Sequence, residues 1–285
     1  MNKSFTLIEI LVVIVVIGIL SSFILVGMSS ITNNANIAKG KAFVDSADNN
    51  LLLSRLSYLK LDGNGNDSWG NNNFNINGVT ESTSCVFGSC YFFDGTTSDY
   101  IIKNPINDFP TSQISISLWL NSSDTTKEGT LISYATGHSD NEFLIYIYVS
   151  SISVYPNFRS TGLVFNDGKW HNMFFTWTNT DGSVRIYKDG VLVYSNSLSA
   201  GTVLASPGSL VIGQEQDNVG GGFSEVQSFL GTIDEIKIYN SVLSISANQE
   251  DYYVGLNSLL LKNEIDNQEY VLRTAQLKNI ITSVD

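Results

Sequence analysis

The chain has little charge, and less than half of that charge is basic. Charged residues make up 15% of its 285 residues, and 15 lysines and arginines stand against 27 aspartates and glutamates, for a formal net charge of -12. Nucleic-acid-binding proteins need basic patches that neutralise phosphate, so the composition argues against nucleic acid as a partner. It is compatible with cation binding and with a protein exposed outside the cell.

Sequence signatures of several enzyme classes are also missing. The chain has no Gly-rich phosphate loop and no Ser-His-Asp spacing, and its histidines are His138 and His171. Glycoside hydrolysis needs paired carboxylates, and the nearest match, "TIDEIKIYN", has Asp234 and Glu235 side by side. Neighbouring residues of a regular strand face opposite ways, so we predict that the chain is not an enzyme.

One long uncharged run stands near the amino terminus. Nineteen residues from Ile10 to Met28 carry no charge, which is about the length that crosses a bilayer as a helix. Lys3 precedes the run and predicts a cytoplasmic amino terminus. Glu9 lies at the head of the run, where an ionisable side chain is costly without a partner.

The stretch "KSFTLIEILVVIVVIG" resembles the type IV prepilin signature. The resemblance implies that a prepilin peptidase cuts between Ser4 and Phe5, that the new Phe5 amine is methylated, and that Glu9 pairs with a neighbouring subunit's amine during assembly. Two features depart from the family. Ser4 stands where Gly is usual, and the proline common in the middle of pilin helices is missing.

We therefore predict a leader over residues 1–4 and a long pilin helix over 5–57, transmembrane over 5–28. Apolar or small residues at Ile31, Ala35, Ala38 and Ala42 have the helical spacing that this continuation requires. The partners implied are other pilin subunits, the peptidase and the bacterial inner membrane. The protein would be membrane-anchored before assembly and then part of an extracellular filament or the cell surface.

Residues 58–245 have the period of strands. "ISISLWL" alternates apolar and polar side chains, and Asp189-Gly190 between two alternating runs predicts a hairpin. "YFFDGTTSDYI", "DGKWHNMFFTWTNTDGSVRIYKDGVLV" and "LGTIDEIKIYN" together resemble the laminin-G/concanavalin A-like lectin superfamily. The resemblance implies a mainly β fold, an antiparallel jelly-roll sandwich. Residues 246–285 have helical spacing at Tyr253, Leu256 and Leu260 and predict a tail of short helices.

Cys85 and Cys90 enclose four residues. A metal site would need further Cys or His nearby, and the sequence has none there. Export by the pilin route would place both thiols outside the cytosol, where disulfides persist, so a disulfide is favoured over free buried thiols. Closing so small a loop would stabilise the fold by about 2 kcal/mol at most.

The stretch "GQEQDNVGGGF" joins two carboxylates, two amides and a pliable backbone. Calcium takes about six to eight oxygen ligands in flexible geometry, and a bound ion would offset the repulsion between the carboxylates. A solvated acidic turn is the alternative. For "DGNGND" (Asp62 to Asp67) we favour a turn, because Asn73 stands where an EF-hand needs Glu.

Two stretches, "GQEQDNVGGGFSEVQSFLG" and "SYATGHSDNEFLIY", resemble the calcium segments of the pentraxins. The resemblance implies a Ca²⁺ site, and Tyr146 matches an aromatic residue beside the family's ligand. Ser224 stands where the family has a second-site Glu, and Glu225 follows it. The implied calcium ligands are Asp140, Asn141, Glu215, Gln216 through its carbonyl, Asp217, Glu225 and Gln227.

Together these features predict a minor pilin or pseudopilin that displays a calcium-dependent, lectin-like head for adhesion or ligand capture. Its ligand would be a carbohydrate or a phosphoester. The alternative is a structural subunit of a pilus or secretion machine, in which calcium only stabilises the head. Joining an assembly motif to a binding fold in this way is an analogy at the level of function.

Overall fold

A computed structural model describes residues 54–148 and 151–282. The predicted leader, the transmembrane segment, Ser4, Phe5 and Glu9 lie outside these residues, as does the predicted pilin helix up to residue 53. The compact unit begins at Ser54. Within the described ranges, no helix is long and apolar enough to cross a membrane.

The described chain folds into two antiparallel sheets that pack face to face. The first sheet has the strand order β13-β12-β11-β6-β15-β4-β3, and β1 pairs with β15 beside β4. Its strands are β1 (Arg55–Leu59), β3 (Thr80–Ser82), β4 (Cys90–Asp94), β6 (Gln113–Asn121), β11 (Trp170–Thr178), β12 (Ser183–Lys188), β13 (Val191–Ser197) and β15 (Leu230–Tyr239).

The second sheet has the strand order β10-β9-β8-β7-β14-β5-β2. Its strands are β2 (Asn75–Asn77), β5 (Tyr100–Ile106), β7 (Thr130–Thr136), β8 (Phe143–Tyr146), β9 (Ser151–Val154), β10 (Asn157–Ser160) and β14 (Gly208–Ile212). The mainly β, two-sheet antiparallel sandwich predicted from the sequence is confirmed.

The main core fills the space between the sheets, as strand alternation requires. In β6, Ile114, Ile116, Leu118 and Leu120 all point into this core. The predicted hairpin is also present, because Asp189 and Gly190 both have positive φ and connect β12 to β13. That conformation matches the two-residue turn that Asp-Gly favours.

Two carboxyl-terminal helices cover the outer face of the first sheet and confirm the predicted helical tail. They are α1 (Ile245–Leu261) and α2 (Asn267–Thr282). Trp119, on the outer face of β6, stacks on Tyr252 of α1 with ring centroids 5.6 Å apart. Trp170, Leu256 and Leu277 belong to this second apolar cluster, so β6 and β11 are buried on both faces.

The disulfide between Cys85 and Cys90 is confirmed, with the two Cα atoms 5.7 Å apart. It closes a short loop against the second cluster. Inside this loop, the Phe87 N–H donates to an Asp234 carboxylate oxygen at 3.0 Å.

Two predictions are wrong, one about where the helix ends and one about which way two neighbouring acids face. Arg55–Leu59 form strand β1, so the predicted helix does not reach residue 57; these residues pair with the end of β15. A bulge between Asp234 and Lys237 shifts the register of β15, and Glu235 has a positive φ of 55°. Because of this extra residue, Asp234 and Glu235 lie on the same side of the sheet and do not face opposite ways.

Candidate functional site

The residues after β14 form a closed loop over the outer face of the second sheet. The chain turns at Gly213, whose φ is 88°, and the Phe229 N–H donates to the Gly213 carbonyl at 2.9 Å. Residues 213–229 therefore leave and return at one point, the geometry of an Ω-loop.

Two buried amides fix this loop to the sandwich. Gln214 Nε2 donates to the carbonyls of Thr96 (2.6 Å) and Asp99 (3.2 Å). Gln216 Nε2 donates to the carbonyls of Ser133 (2.9 Å) and Ser209 (3.1 Å), on neighbouring strands β7 and β14. The loop backbone is therefore held against the sheet before any ligand binds.

The carboxylate between these amides is buried with one of its two oxygens unpartnered. Glu215 is 1% exposed, and its Oε2 atom has no hydrogen-bond partner. Burial, followed by the charges of Asp217, Asp140 and Glu128, raises the pKa of Glu215 to about 7. A buried, unpaired carboxylate oxygen under the charges of further acids favours a cation.

The second predicted segment reaches the same place from another loop. Asp140 and Asn141 lie in the connection from β7 to β8, where the Thr136 N–H donates to the Ser139 carbonyl at 2.8 Å. Glu142 anchors this turn, because its buried carboxylate accepts from the Ala205 N–H (2.6 Å) and approaches His138 Nδ1 (3.1 Å). Asn141 Oδ1 is buried and has no partner.

The oxygens present fit a hard cation that accepts amide and carbonyl ligands. Among residues 54–148 and 151–282, no three His, Cys, Asp or Glu side chains are close enough to share one metal ion. Among the buried oxygens without a partner in the described residues, Glu215 Oε2, a carboxylate oxygen, and Asn141 Oδ1, an amide oxygen, come from the two predicted calcium segments. This mixture suits calcium better than zinc, whose sites use His and Cys ligands.

The other predicted site residues range from buried to exposed. Gln227 lies near the end of the Ω-loop, and its Nε2 donates to the Tyr146 hydroxyl at 3.2 Å. Tyr146 is 7% exposed, and burial, followed by the charges of Glu215 and Glu128, raises its pKa. Glu225 has an exposed side chain, and Lys127 Nζ donates to its carbonyl at 2.9 Å.

Sequence reasoning missed two residues that the fold brings to this face. Glu128 precedes β7 and acts by its charge on both Glu215 and Tyr146. Phe158 of β10 lies 6.4 Å from Tyr146 between ring centroids and is 52% exposed, so it is the more accessible aromatic residue. Neither residue belongs to a local motif, and no pattern in the sequence could have indicated it.

The remaining candidate residues, His171 and Asp67, make hydrogen bonds that hold the local structure. His171 lies between two carboxylates, with Nδ1 2.6 Å from Asp189 and Nε2 2.9 Å from Asp167. Asp67 accepts hydrogen bonds from the backbone N–H groups of Tyr58, Trp69 and Asn72. "DGNGND" therefore ends in a carboxylate that organises its own turn.

Comparison with known families gives two matches. The Pentaxin family model matches residues 90–275, and the model described as the prokaryotic N-terminal methylation motif matches residues 1–25. Pentaxin domains commonly bind calcium, and neither family is catalytic.

Similar individual proteins match less than half of this chain. The chain is 41% identical over 139 residues to a rat protein with sushi, von Willebrand factor type A, EGF and pentraxin domains, covering 46% of this chain and 4% of that protein. It is 35% identical to human neuronal pentraxin-1, covering 45% of this chain and 31% of that protein. The chain therefore spans less than a third of the length of either relative.

Among solved structures, one similar fold is domain 4 of AbnA, an extracellular arabinanase from Geobacillus stearothermophilus, in complex with arabinotriose. The two share 19% identity with a TM-score of 0.55, over 69% of this chain and 97% of that domain. At this identity the similarity establishes the sandwich fold alone.

Proposed function

Because the chain belongs to the pentaxin family and carries a prokaryotic N-terminal methylation motif, we propose that it is a minor pilin or pseudopilin with a calcium-dependent binding head. The motif implies pilin partners, processing by a peptidase and assembly at the cell surface. The family implies ligand binding by the sandwich.

The observation that carries the binding half of this proposal is the pair of buried, unpartnered oxygens. Glu215 Oε2 and Asn141 Oδ1 come from separate loops, and each lacks a hydrogen-bond partner. An unpaired buried polar atom costs about 1–3 kcal/mol, and more when it is charged. A bound divalent cation would remove that cost at both atoms.

The residues that would hold calcium are Asp140, Asn141, Glu215, Asp217 and the carbonyl of Gln216. Their three acids do not lie close enough to share one ion in the described structure, so a bound ion would have to draw them together. When bound, the ion would supply a positive centre that attracts carboxylate, phosphate or hydroxyl oxygens of an extracellular ligand. The Gln216 side chain points into the sheet, so the ligand that this residue would offer the ion is its backbone carbonyl. Asp217 has an exposed side chain and lies where an incoming ligand would meet the site.

Beside the ion, the exposed ring of Phe158 would contact the apolar part of the ligand. Arg159 is also exposed, and its Nη1 donates to the Phe158 carbonyl at 2.9 Å. A carbohydrate suits this pairing of oxygen capture with an aromatic surface, and a structural neighbour holds arabinotriose. A phosphoester is the second ligand class with the required oxygens.

The test is binding of the full chain to an array of glycans and phosphoesters, with calcium and with a chelator. We expect wild type to bind the array in calcium and not in chelator, and Glu215→Gln to show no binding in either condition. The matched control is Glu81→Gln, because that acid is exposed on β3 and is not one of the predicted calcium ligands. Calcium-shifted melting with no array signal would overturn ligand binding and favour a purely structural ion.

A further inference from the structure

A cavity of about 280 Å³ opens on the outer face of the first sheet, beside α1. Its floor is β6, through the outward-facing Ser117 and Trp119, and one wall is α1, through Val254. Phe87, in the loop that the disulfide closes, forms another wall. No residue of the two predicted calcium segments lines this cavity, so it is separate from the site proposed above.

One side of the cavity carries a carboxylate that a bulge has turned toward it. Glu235 belongs to the bulge in β15, and its φ of 55° lies in the left-handed region, which is unusual for this residue type. Its side chain lines the cavity although the residue is only 6% exposed, and it accepts a hydrogen bond from the Tyr58 hydroxyl. Bulges re-aim side chains, and residues in strained conformations cluster at functional sites. The position of Glu235 therefore points to a role beyond packing.

This carboxylate lacks a positive partner of its own. Lys237, on the same strand, is bonded instead to Asp251 of α1, with Nζ 2.6 Å from Oδ2. In the described part of the chain, Glu235 forms no ion pair. Burial raises the pKa of Glu235 above its ordinary value, even with the Tyr58 hydroxyl and the Lys237 ammonium nearby. An ammonium group in the cavity would stabilise the charged form of Glu235.

The other side of the cavity offers hydrogen-bond donors. Lys60 lines it with an exposed side chain, whose Nζ lies 5.8 Å from the centroid of the Tyr58 ring and forms no ion pair among the described residues. Ser117 Oγ accepts from the Nδ2 atoms of Asn172 and Asn248, both at 3.3 Å, which leaves its own hydrogen to be donated. An ammonium and a hydroxyl donor together suit a carboxylate.

Glu235 and Lys60 line one cavity without pairing with each other. Two opposite charges in this arrangement suit a ligand that carries both charges itself, in the reverse order. Between them, Phe87 and the half-exposed Val254 offer apolar surface. Small-molecule sites range from roughly 300 to 1,000 Å³, so a cavity of about 280 Å³ limits the ligand to a small molecule.

We propose that this cavity binds a free α-amino acid, with the ligand's ammonium group on Glu235 and its carboxylate on Lys60 and Ser117. Phe87 and Val254 would contact the ligand's side chain. This site goes beyond the proposed function, because it uses no metal ion and none of the proposed calcium ligands.

The experiment is calorimetric titration of the full chain, in non-ionic detergent and chelator, with each of the standard amino acids. The N-acetyl and carboxamide derivatives of the tightest binder then remove one ligand charge at a time. Lys60→Gln and Glu235→Gln remove the proposed partners of those charges. The matched control is Lys103→Gln, because that lysine lies on β5 of the second sheet.

Melting of each variant checks its fold. In Glu235→Gln the new amide oxygen can still accept from the Tyr58 hydroxyl. Lys60 is exposed, so Lys60→Gln keeps the test decisive even where Glu235→Gln does not fold.

We expect one amino acid to bind per wild-type chain. Lys60→Gln should weaken binding of the amino acid by about tenfold and leave binding of its carboxamide unchanged, because the carboxamide has no charge for Lys60 to meet. Glu235→Gln should likewise weaken the amino acid and leave the N-acetyl derivative unchanged. Lys103→Gln should match wild type.

Three results would overturn the inference. They are no binding of any amino acid, equal affinity of wild type for the amino acid and its carboxamide, and equal losses in Lys60→Gln and Lys103→Gln. Each would leave the proposed function standing, because the titration is made without calcium.

Discussion

Consecutive residues from Gln214 to Asp217 have opposite environments. The two glutamine amides are buried and bonded to carbonyls of the sandwich, and the two acids are the ones proposed to bind calcium. The sequence predicted the acids as ligands because oxygen chemistry identifies them locally. It could not predict that one oxygen of Glu215 would be buried without a partner, because its burial depends on strands far away in the chain.

This burial predicts how stability depends on pH. The folded pKa of Glu215, about 7, is above its ordinary value of 4.5, so folding favours the protonated form. Without calcium, stability should therefore fall as pH rises from 4.5 toward 7, by on the order of 3 kcal/mol for this group.

Denaturant unfolding between pH 4.5 and 8, in chelator and in saturating calcium, measures this effect. Glu215→Gln in chelator should lack the corresponding part of the decline, since Gln does not ionise. In saturating calcium the wild-type decline should disappear, because the ion stabilises the charged form. Parallel curves for wild type and Glu215→Gln in chelator would contradict the assignment.

At the scale of elements, the Ω-loop connects the sandwich to the site. Alternation in "ISISLWL" and the Asp189-Gly190 turn could be predicted, since both depend on neighbouring residues. The bulge at Glu235 and the fold-back of residues 213–229 could not, because they depend on register and on distant hydrogen bonds. The start of β1 was missed because its partner, the end of β15, is also remote.

The loop's dependence on one amide gives a prediction for Gln216→Ala. This change leaves the carbonyls of Ser133 and Ser209 and the Gly220 N–H without their partner. We expect a loss of about 1–3 kcal/mol in unfolding free energy. Calcium affinity should fall as well, because the loop is no longer held in place.

Hydrogen exchange across residues 214–227, together with denaturant unfolding, checks this prediction. The matched control is Gln268→Ala, an exposed glutamine on α2, which should change neither measurement. Unchanged exchange in Gln216→Ala would show that the sheet holds the loop without this amide.

At the scale of the whole molecule, two separate matches, a methylation motif and a pentaxin domain, underlie the proposed anchoring and binding. The methylation motif could be read from residues 1–25 because peptidase recognition depends on local sequence. The sandwich could be read from strand period and family motifs. The function of the sandwich could be predicted only as ligand binding of a general kind. The identity of the ligand depends on side chains such as Phe158, which folding brings together from distant parts of the chain.

Processing is the prediction at this scale. In cells with the prepilin peptidase, the mature chain should begin at a methylated Phe5, and Ser4→Gly should raise the processed fraction. Glu9→Gln should be cleaved normally but be depleted from filaments, because it lacks the assembly charge. Mass spectrometry of the amino terminus measures the cleavage, and a Phe5 terminus in cells without the peptidase would contradict the assignment.

The most direct test of the central claim is anomalous diffraction from crystals of this protein grown with calcium. The account predicts a peak about 2.3–2.6 Å from both Asn141 Oδ1 and Glu215 Oε2, the usual calcium–oxygen distance. The peak should be absent from crystals of Glu215→Gln. A structure in which water or a protein donor satisfies both oxygens in the presence of excess calcium would contradict the account.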